Sequence, residues 1–421
     1  MPVDYEPFSA RFRDHPYPVY RELRDHAPVH YAPQSGCWCV SRHEDVLHVL
    51  NHPDVYSSRA MFTVLMNGGH DDPPPLSWGV ISFLARFALR TRMNPIGFAN
   101  ARNLIASDPP VHGPLRDLVN RGFTPRQIRE WEPRVRAVAQ ERIAKLAARE
   151  PFDVVGDLAI PLPVTIIAEM LGVERERLAD FKRWSDAIIA GMTGSLRSFP
   201  PQPPTQQAML ELDTYLARVI RRRRRAPTQD LVGTILAEEP GGQRLTSTEV
   251  MLFVTLLLVA GNETTTNLIG NAVGALLDHP GELARVARDP GLVAGVVEET
   301  LRFDAPIQLV FRTTLAEAAL RGVRIPQGAT VALLLGSANR DERRFPDPDR
   351  FDPGRDTRGH LGFGFGQHFC LGASLARLEG GVALETLLPH LPHARRASED
   401  RRLLDSFLVR GPSRLELRPA A

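Results

Sequence analysis

The stretch from Thr248 to Asp278 is the longest run of helical spacing in this sequence, and it is apolar nearly all round. A helix of that kind has no solvated face, so other elements of the same chain must surround it. Ser247 or Thr248 can cap its start, and Gly281 follows Pro280 at its end. The constraint points to a large, mainly α fold wrapped around one central helix. The longest apolar run within it, Val250 to Gly261, contains Thr255. That run is far shorter than the ~20 residues a bilayer span needs.

Other segments with helical spacing are Tyr17–His26, Asp45–Asn51, Pro125–Arg149, Pro163–Met170, Arg175–Ile189, Gln207–Arg225, Pro290–Phe303 and Leu371–Pro389. Val29-His-Tyr-Ala and Cys37-Trp-Cys-Val, joined by Pro33-Gln-Ser-Gly36, read as a hairpin. Short strands are also expected through Leu335. The expectation is a single domain over 1–421, with a small β-rich lobe mainly at 28–57 and 307–335 and a helical lobe elsewhere. Ser58 to Pro110 is too long for a passive connector. Within it, Leu76–Leu89 is apolar and suits either a lid helix packed on the core or a membrane contact.

Lys+Arg (51) and Asp+Glu (49) nearly cancel, so net charge does not point to nucleic acid. Only Lys145 and Lys182 are lysines, an imbalance that reads as genome composition rather than chemistry. Arg221–Arg225 suits either a nucleic-acid patch or a solvated helix end. The N-terminus has neither the basic nor the apolar region of a signal peptide. The chain is therefore expected to be cytoplasmic, without a membrane span, and monomeric.

Three cysteines are too few for a disulfide framework. Cys37 and Cys39 belong to the hairpin and read as ordinary strand residues. Cys370 differs: it lies in Phe363-Gly-Phe-Gly-Gln-His-Phe-Cys370-Leu-Gly372, a glycine-rich loop running into a helix. One cysteine cannot build a four-ligand zinc site. It can be a nucleophile, a redox sensor or one axial ligand. Helix N-terminal N–H groups favour its thiolate, which suits heme iron.

The central helix contains Ala260-Gly261-Asn262-Glu263-Thr264-Thr265. Gly261 lets a flat ligand approach the backbone. Glu263 and Thr264 either pair locally, with a basic residue and the preceding turn, or relay protons. Arg302 can pair with Glu299 at i, i+3 or with Glu298 at i, i+4. Arg350, in Pro348-Asp-Arg-Phe-Asp-Pro353, can complete a charged triad with Glu299 and Arg302. His112 and Arg116 share one helix face, as surface residues or as donors to carboxylates. Pro114 breaks a hydrogen bond there unless it falls in the first turn.

Together these motifs resemble the cytochrome P450 family, at its soluble bacterial end. The resemblance runs from Pro16-Tyr-Pro-Val-Tyr20 to the last strands. It implies a heme-thiolate monooxygenase with heme b (iron protoporphyrin IX) between the central helix and the cysteine loop. Cys370 would be the proximal ligand, within a motif that includes Phe363, Gly364, His368 and Gly372. Ala260 and Gly261 would flank the heme. His112, Arg116, Arg312 and His368 would bind its propionates, and Glu263 and Thr264 would deliver protons. One oxygen atom of O₂ would enter a C–H bond (or C=C) of a hydrophobic fatty acid, terpenoid, steroid or polyketide.

Pocket candidates are Ile96, Phe98, Leu196, Leu257, Ala260, Ile307, Leu309, Val310, Phe407 and Leu408. A [2Fe–2S] cluster needs four ligands, more than the remaining cysteines supply. Gln367 stands where a dinucleotide loop needs its third glycine. Electrons are therefore expected from a ferredoxin and its NAD(P)H-dependent reductase, docking near Arg377, Arg116 and Arg126. The competing readings are an H₂O₂-driven peroxygenase and a non-enzymatic heme sensor or carrier. The Ser58–Pro110 segment is longer than the family pattern, and Ser374 replaces its usual proline.

Overall fold

The computed structural model describes residues 3–61, 64, 78–91, 101–147, 152–193, 203–237, 244–398 and 401–419. The fold is mainly α with small sheets. The chain divides into two compact units. One comprises Met1–Ser57, Ile128–Pro163 and Glu263–Ala421; the other comprises Ser58–Gln127 and Val164–Asn262.

The first unit holds the strands. Val29–Ala32 pairs antiparallel with Cys37–Val40 in the expected hairpin, with Gly36 at positive φ in the turn. Cys37–Val40 pairs parallel with Thr330–Leu333, and Val310–Thr314 then joins it to the edge strand Tyr56–Ser57. Val40, Val331, Leu333 and Ile325 form its buried core with Val46 and Val49 of helix His43–Asn51. Cys37 and Cys39 are buried free thiols there. Burial is the main reason the Cys39 thiol is pushed up, which keeps it inert. A second sheet of Phe152–Asp153, Glu416–Pro419 and Ala394–Arg396 escaped the sequence reading because its strands are too short to show alternation.

Arg302 organises the unit's long coil. It lies on helix Val293–Phe303, and both it and Glu299 are fully buried. Its Nε and Nη2 donate to the two Glu299 oxygens at 2.8 Å each. Its remaining N–H groups donate to the carbonyls of Asn339 (3.1 Å), Pro348 (2.8 Å) and Arg350 (3.3 Å). All five guanidinium donors thus have acceptors. Glu299 is therefore the partner, rather than Glu298.

The triad needs a correction. The Arg350 side chain is 62% exposed and points toward Glu282 and Asp352. Only its carbonyl joins the cluster. The third charged group is Arg355, whose Nε donates to Glu299 Oε1 at 3.3 Å.

The second unit is helical, including Trp78–Thr91, His112–Asn120, Leu178–Thr193, Pro203–Arg225 and Leu231–Leu236. The arginine run is a solvated helix end, exposed except at Arg223, and its side chains also bond neighbouring segments. Arg221 and Arg224 donate to the carbonyls of Thr91 and Leu245, while Arg222 and Arg223 pair with Glu174 and Asp230.

The central helix spans Ser247–Asp278 and continues without a break into the first unit. Its cap is Thr246: Glu249 Oε2 accepts from the Thr246 N–H at 2.8 Å, and Thr246 Oγ1 accepts from the Glu249 N–H at 3.2 Å. This Thr-x-x-Glu box was present in the sequence and lies before the expected Ser247 or Thr248 cap. By length and composition this helix is long and apolar enough to cross a membrane; half of its most apolar window is buried in the protein.

Arg302→Ala should cost about 3–5 kcal/mol, because it leaves Glu299 charged and buried. Arg302→Lys should not restore the wild type, since an ammonium lacks the planar fork. Urea midpoints at constant m-value measure both; a shift below about 1 kcal/mol for Arg302→Ala would refute the role assigned to this pair.

Candidate functional site

The cysteine loop begins where the coil ends. Asn339 Oδ1 accepts from the Leu361 N–H at 2.6 Å, while its Nδ2 donates to the Leu301 carbonyl at 3.2 Å. Gly364 and Gly366 then take φ of +68° and +69°, a backbone that disfavours any side chain. A Cβ on Gly366 would also meet the Leu50 carbonyl at 3.1 Å. The loop folds back so that the Cys370 N–H donates to the Phe363 carbonyl at 2.9 Å. Helix Ala373–Leu387 follows, capped by Gly372. Cys370 is thus a half-buried cysteine, outside any disulfide, two residues before a helix cap. Phe365 and Phe369 on the same loop are exposed.

Glu298 clamps this loop. Its carboxylate receives Arg377 Nε at 2.6 Å and Nη2 at 3.0 Å, and lies 3.0 Å from His360 Nε2. His360 Nδ1 accepts from the Gly362 N–H at 3.1 Å, so the proton sits on Nε2 and points at Glu298. Arg377 stacks on Phe363, with its guanidinium carbon 4.6 Å from the ring centroid. Despite the burial of its carboxyl, bonds from His360 and Arg377 hold Glu298 down at about 2. The Arg377 guanidinium is thus paired with Glu298, while its side chain stays 39% exposed.

The first unit also contains two carboxyls of the opposite kind. Burial pushes Glu263 up to about 7, and its Oε1 has no hydrogen-bond partner among the described residues. The local alternative, pairing with a basic residue, is not found among the described residues. Glu379, on the helix after Cys370, is fully buried and pushed up to about 8, with one bond to Thr265. The sequence reading passed over Glu379; an acid amid the apolar residues of Ala373–Leu387 was the available signal. Thr264 lies between Glu263 and Thr265, half-buried on the helix. Arg312 is buried on strand Val310–Thr314, and His368 is half-buried in the short turn Gly366–His368.

In the second unit the same central helix opens at Ala260, which is exposed in mid-helix. A Cβ on its neighbour Gly261 would meet no protein atom within 4 Å. Leu257, one turn earlier, is buried. His112 begins its helix and Pro114 falls in the first turn, where a missing N–H costs nothing. His112 is buried; desolvation, then the charge of Arg116, lowers its pKa.

The pocket candidates divide. Ile96, Phe98 and Leu196 lie outside the described residues. Leu309 is core, and with Phe407 it lines a cavity of about 30 Å³ beside Pro7, Phe12 and Tyr20. That volume suits a water rather than a substrate. Phe407 also packs edge-on against Phe8 at 4.8 Å. These two are corrected to packing residues. Ile307 bridges to Val409, and the Gln308 N–H donates to the Leu408 carbonyl at 2.9 Å, joining two chain segments. Val310 packs partly against the sheet core.

Chemically, the first unit offers a thiol just before a helix start, cationic donors and neutral carboxyls. Among the described residues, no group of three or more His, Cys, Asp and Glu side chains could hold a bare metal ion. The donor set fits a flat prosthetic group carrying its own metal and anionic edges.

A family model described as cytochrome P450 matches residues 84–289 and 291–417. Cytochrome P450 107B1 of Saccharopolyspora erythraea is 42% identical over 323 residues, which cover 76% of this chain and 78% of the relative. Vitamin D(3) 25-hydroxylase of Pseudonocardia autotrophica is 38% identical over 414 residues, 97% of this chain and 94% of the relative. The solved structure of CYP109Q5 from Chondromyces apiculatus is similar at a TM-score of 0.85 and 40% identity, covering 100% of this chain and 99% of that one.

The raised carboxyls fix a pH dependence. Glu379 is neutral in the native chain up to about 8, against an ordinary value of 4.5. The native state therefore keeps a proton that the unfolded state releases. Stability from this group is complete below about 4.5 and is lost as pH rises through about 8. Glu379→Gln should flatten that decline; an unchanged profile of thermal midpoint against pH would contradict the assignment.

Proposed function

The chain belongs to the cytochrome P450 family and is a monooxygenase, and on that premise we propose that Cys370 is the proximal thiolate ligand of heme b in an enzyme that oxygenates a hydrophobic small molecule. The observation that carries this reading is the half-buried Cys370, delivered to a helix N-terminus by a loop that glycine alone accommodates. The buried Arg312 of the same unit also fits a group with anionic edges.

Bound there, heme supplies the one-electron and O₂ chemistry that side chains cannot. The protein's own groups do the rest. Cys370 donates electron density. The Glu298 clamp on His360 and Arg377 fixes the loop that aims it. Arg312 and His368 offer N–H donors to propionates. His112 and Arg116 share that proposed role on the strength of their motif alone. Glu263, poised near 7, can give and regain a proton at neutral pH, with the Thr264 hydroxyl beside it in sequence. Glu379, on helix Ala373–Leu387, holds a second proton beside Thr265 of the central helix.

The substrate is a lipophilic molecule of the fatty acid, terpenoid, steroid or polyketide kind, with insertion at C–H or C=C. A relative named for hydroxylating vitamin D(3) supports the steroid-like part of that range. Electrons come from separate proteins, a ferredoxin and its NAD(P)H-dependent reductase. In support, Cys37 and Cys39 are buried in the sheet rather than grouped for a cluster. With Arg377 committed to Glu298, exposed Arg126 is the better docking candidate.

The reduced protein with carbon monoxide should show the red-shifted Soret band of a thiolate-ligated heme. Cys370→Ala should lose it, and Cys370→Ser tests the need for sulfur. Glu263→Gln should slow turnover with reduced ferredoxin and O₂ by ~10²-fold while sparing turnover in H₂O₂. Full activity of the variant in both assays would overturn the proton role and favour the peroxygenase reading.

A further inference from the structure

Helix Trp78–Thr91, in the second unit, is apolar on both sides. One face buries Phe83, Phe87 and Thr91. The helix packs on Pro203–Arg225, where Arg86 Nη2 donates to Gln206 at 3.0 Å and Arg221 donates to the Thr91 carbonyl. The opposite face is apolar too, but open. Trp78 is 84% exposed, Leu89 80% and Ile81 46%. No other large hydrophobic among the described residues exceeds 47%. Trp78, Ile81, exposed Ala85 and Leu89 are spaced by three or four residues, so they form one line along the helix.

Charge singles out what could cover this line. From Pro73 to Ser107 the sequence contains no Asp or Glu, yet it contains four arginines. Arg102 is neutralised by Glu249; Arg90 is exposed on the flank of the apolar line, and Arg86 stays exposed there although its guanidinium also bonds Gln206 and the Ser82 carbonyl. We propose that this face docks reversibly on an anionic lipid surface, with Trp78, Ile81 and Leu89 in the headgroup layer and Arg86 and Arg90 on lipid phosphates. At 14 residues the helix is too short to span and would lie in the interface plane. A short apolar face alone binds a bilayer weakly, and adjacent guanidiniums supply the second attraction that peripheral anchoring needs. A second copy of the chain is a poorer occupant. Two-fold pairing of this face would bring Arg86 and Arg90 of both copies together. The inference is independent of the heme chemistry; its consequence is access to substrates that partition into membranes.

The test is sedimentation of the heme-loaded protein with phosphatidylglycerol-containing vesicles and with pure phosphatidylcholine vesicles. The wild type should bind the anionic vesicles and be released by salt. Arg86→Gln with Arg90→Gln should remove the preference for anionic lipid. Trp78→Ser with Leu89→Ser should lower the bound fraction by about tenfold. A milder readout covers the case in which that pair fails to fold: brominated lipid should quench wild-type tryptophan fluorescence, and Trp78→Phe should abolish the quenching. No binding to anionic vesicles, or quenching that survives Trp78→Phe, overturns the proposal. So does a salt-resistant dimer lost in the Trp78/Leu89 variant, which would make the face a self-association surface.

Discussion

A fully buried guanidinium permits very few arrangements of the chain around it. Arg302 carries five N–H groups out of water, and each one left unpaired would cost on the order of a whole buried hydrogen bond. Two go to Glu299 on the same helix; the others need carbonyls that only distant coil can deliver. Asn339, Pro348 and Arg350 are therefore held with their carbonyls aimed inward. Glu299 adds its own demands, met by the Asp352 N–H at 3.0 Å and by Arg355. The coil has little regular hydrogen bonding of its own, so this ion pair does for it what a ladder does for a sheet. Asn339 passes the constraint on, because the same residue fixes Leu361 at the entrance to the cysteine loop.

Two neighbouring glutamates show how completely surroundings decide chemistry. Glu298 and Glu299 differ by one position, so they leave their helix in different directions. Glu299 satisfies the coil, while Glu298 grips the cysteine loop through Arg377 and His360. Both stabilise by being charged. Glu263 and Glu379 meet no cation among the described residues, and burial makes them weak acids near neutrality. Charged carboxylates thus stand where cations and N–H groups hold them, and neutral ones where burial alone surrounds them.

What the sequence made legible was local. Glycines in Phe363–Gly372 signal a strained turn wherever the rest of the chain lies, and the i, i+3 spacing of Glu299 and Arg302 follows from helix geometry alone. Three features depended on distant segments and could not be read that way. Arg350 and Arg355 flank the same bend, and only the folded coil decides which guanidinium turns inward. Leu309 looks like any pocket-facing apolar residue until the N-terminal segment covers it. Glu379 becomes unusual only through its complete burial. The Thr246–Glu249 box was local and legible, but the weaker Ser247 and Thr248 candidates drew attention from it.

The scarcity of lysine also takes on a different meaning. It read as a trait of the genome, but the structure gives arginine work that lysine would do poorly. Arg24, Arg42, Arg340, Arg355, Arg396 and Arg410 donate to the carbonyls of Ser337, Arg24, Phe303, Asp347, Gly274 and Arg13. Several of these acceptors lie in coil or at helix ends, where no backbone N–H is positioned to reach them. A planar fork can satisfy a carboxylate and a carbonyl at once, as Arg410 does with Asp304 and Arg13. An ammonium is a more strongly hydrated point charge, so burying it beside carbonyls costs more. Arginine therefore lets this chain keep long irregular segments in place, and the cysteine loop is the segment for which that placement matters most.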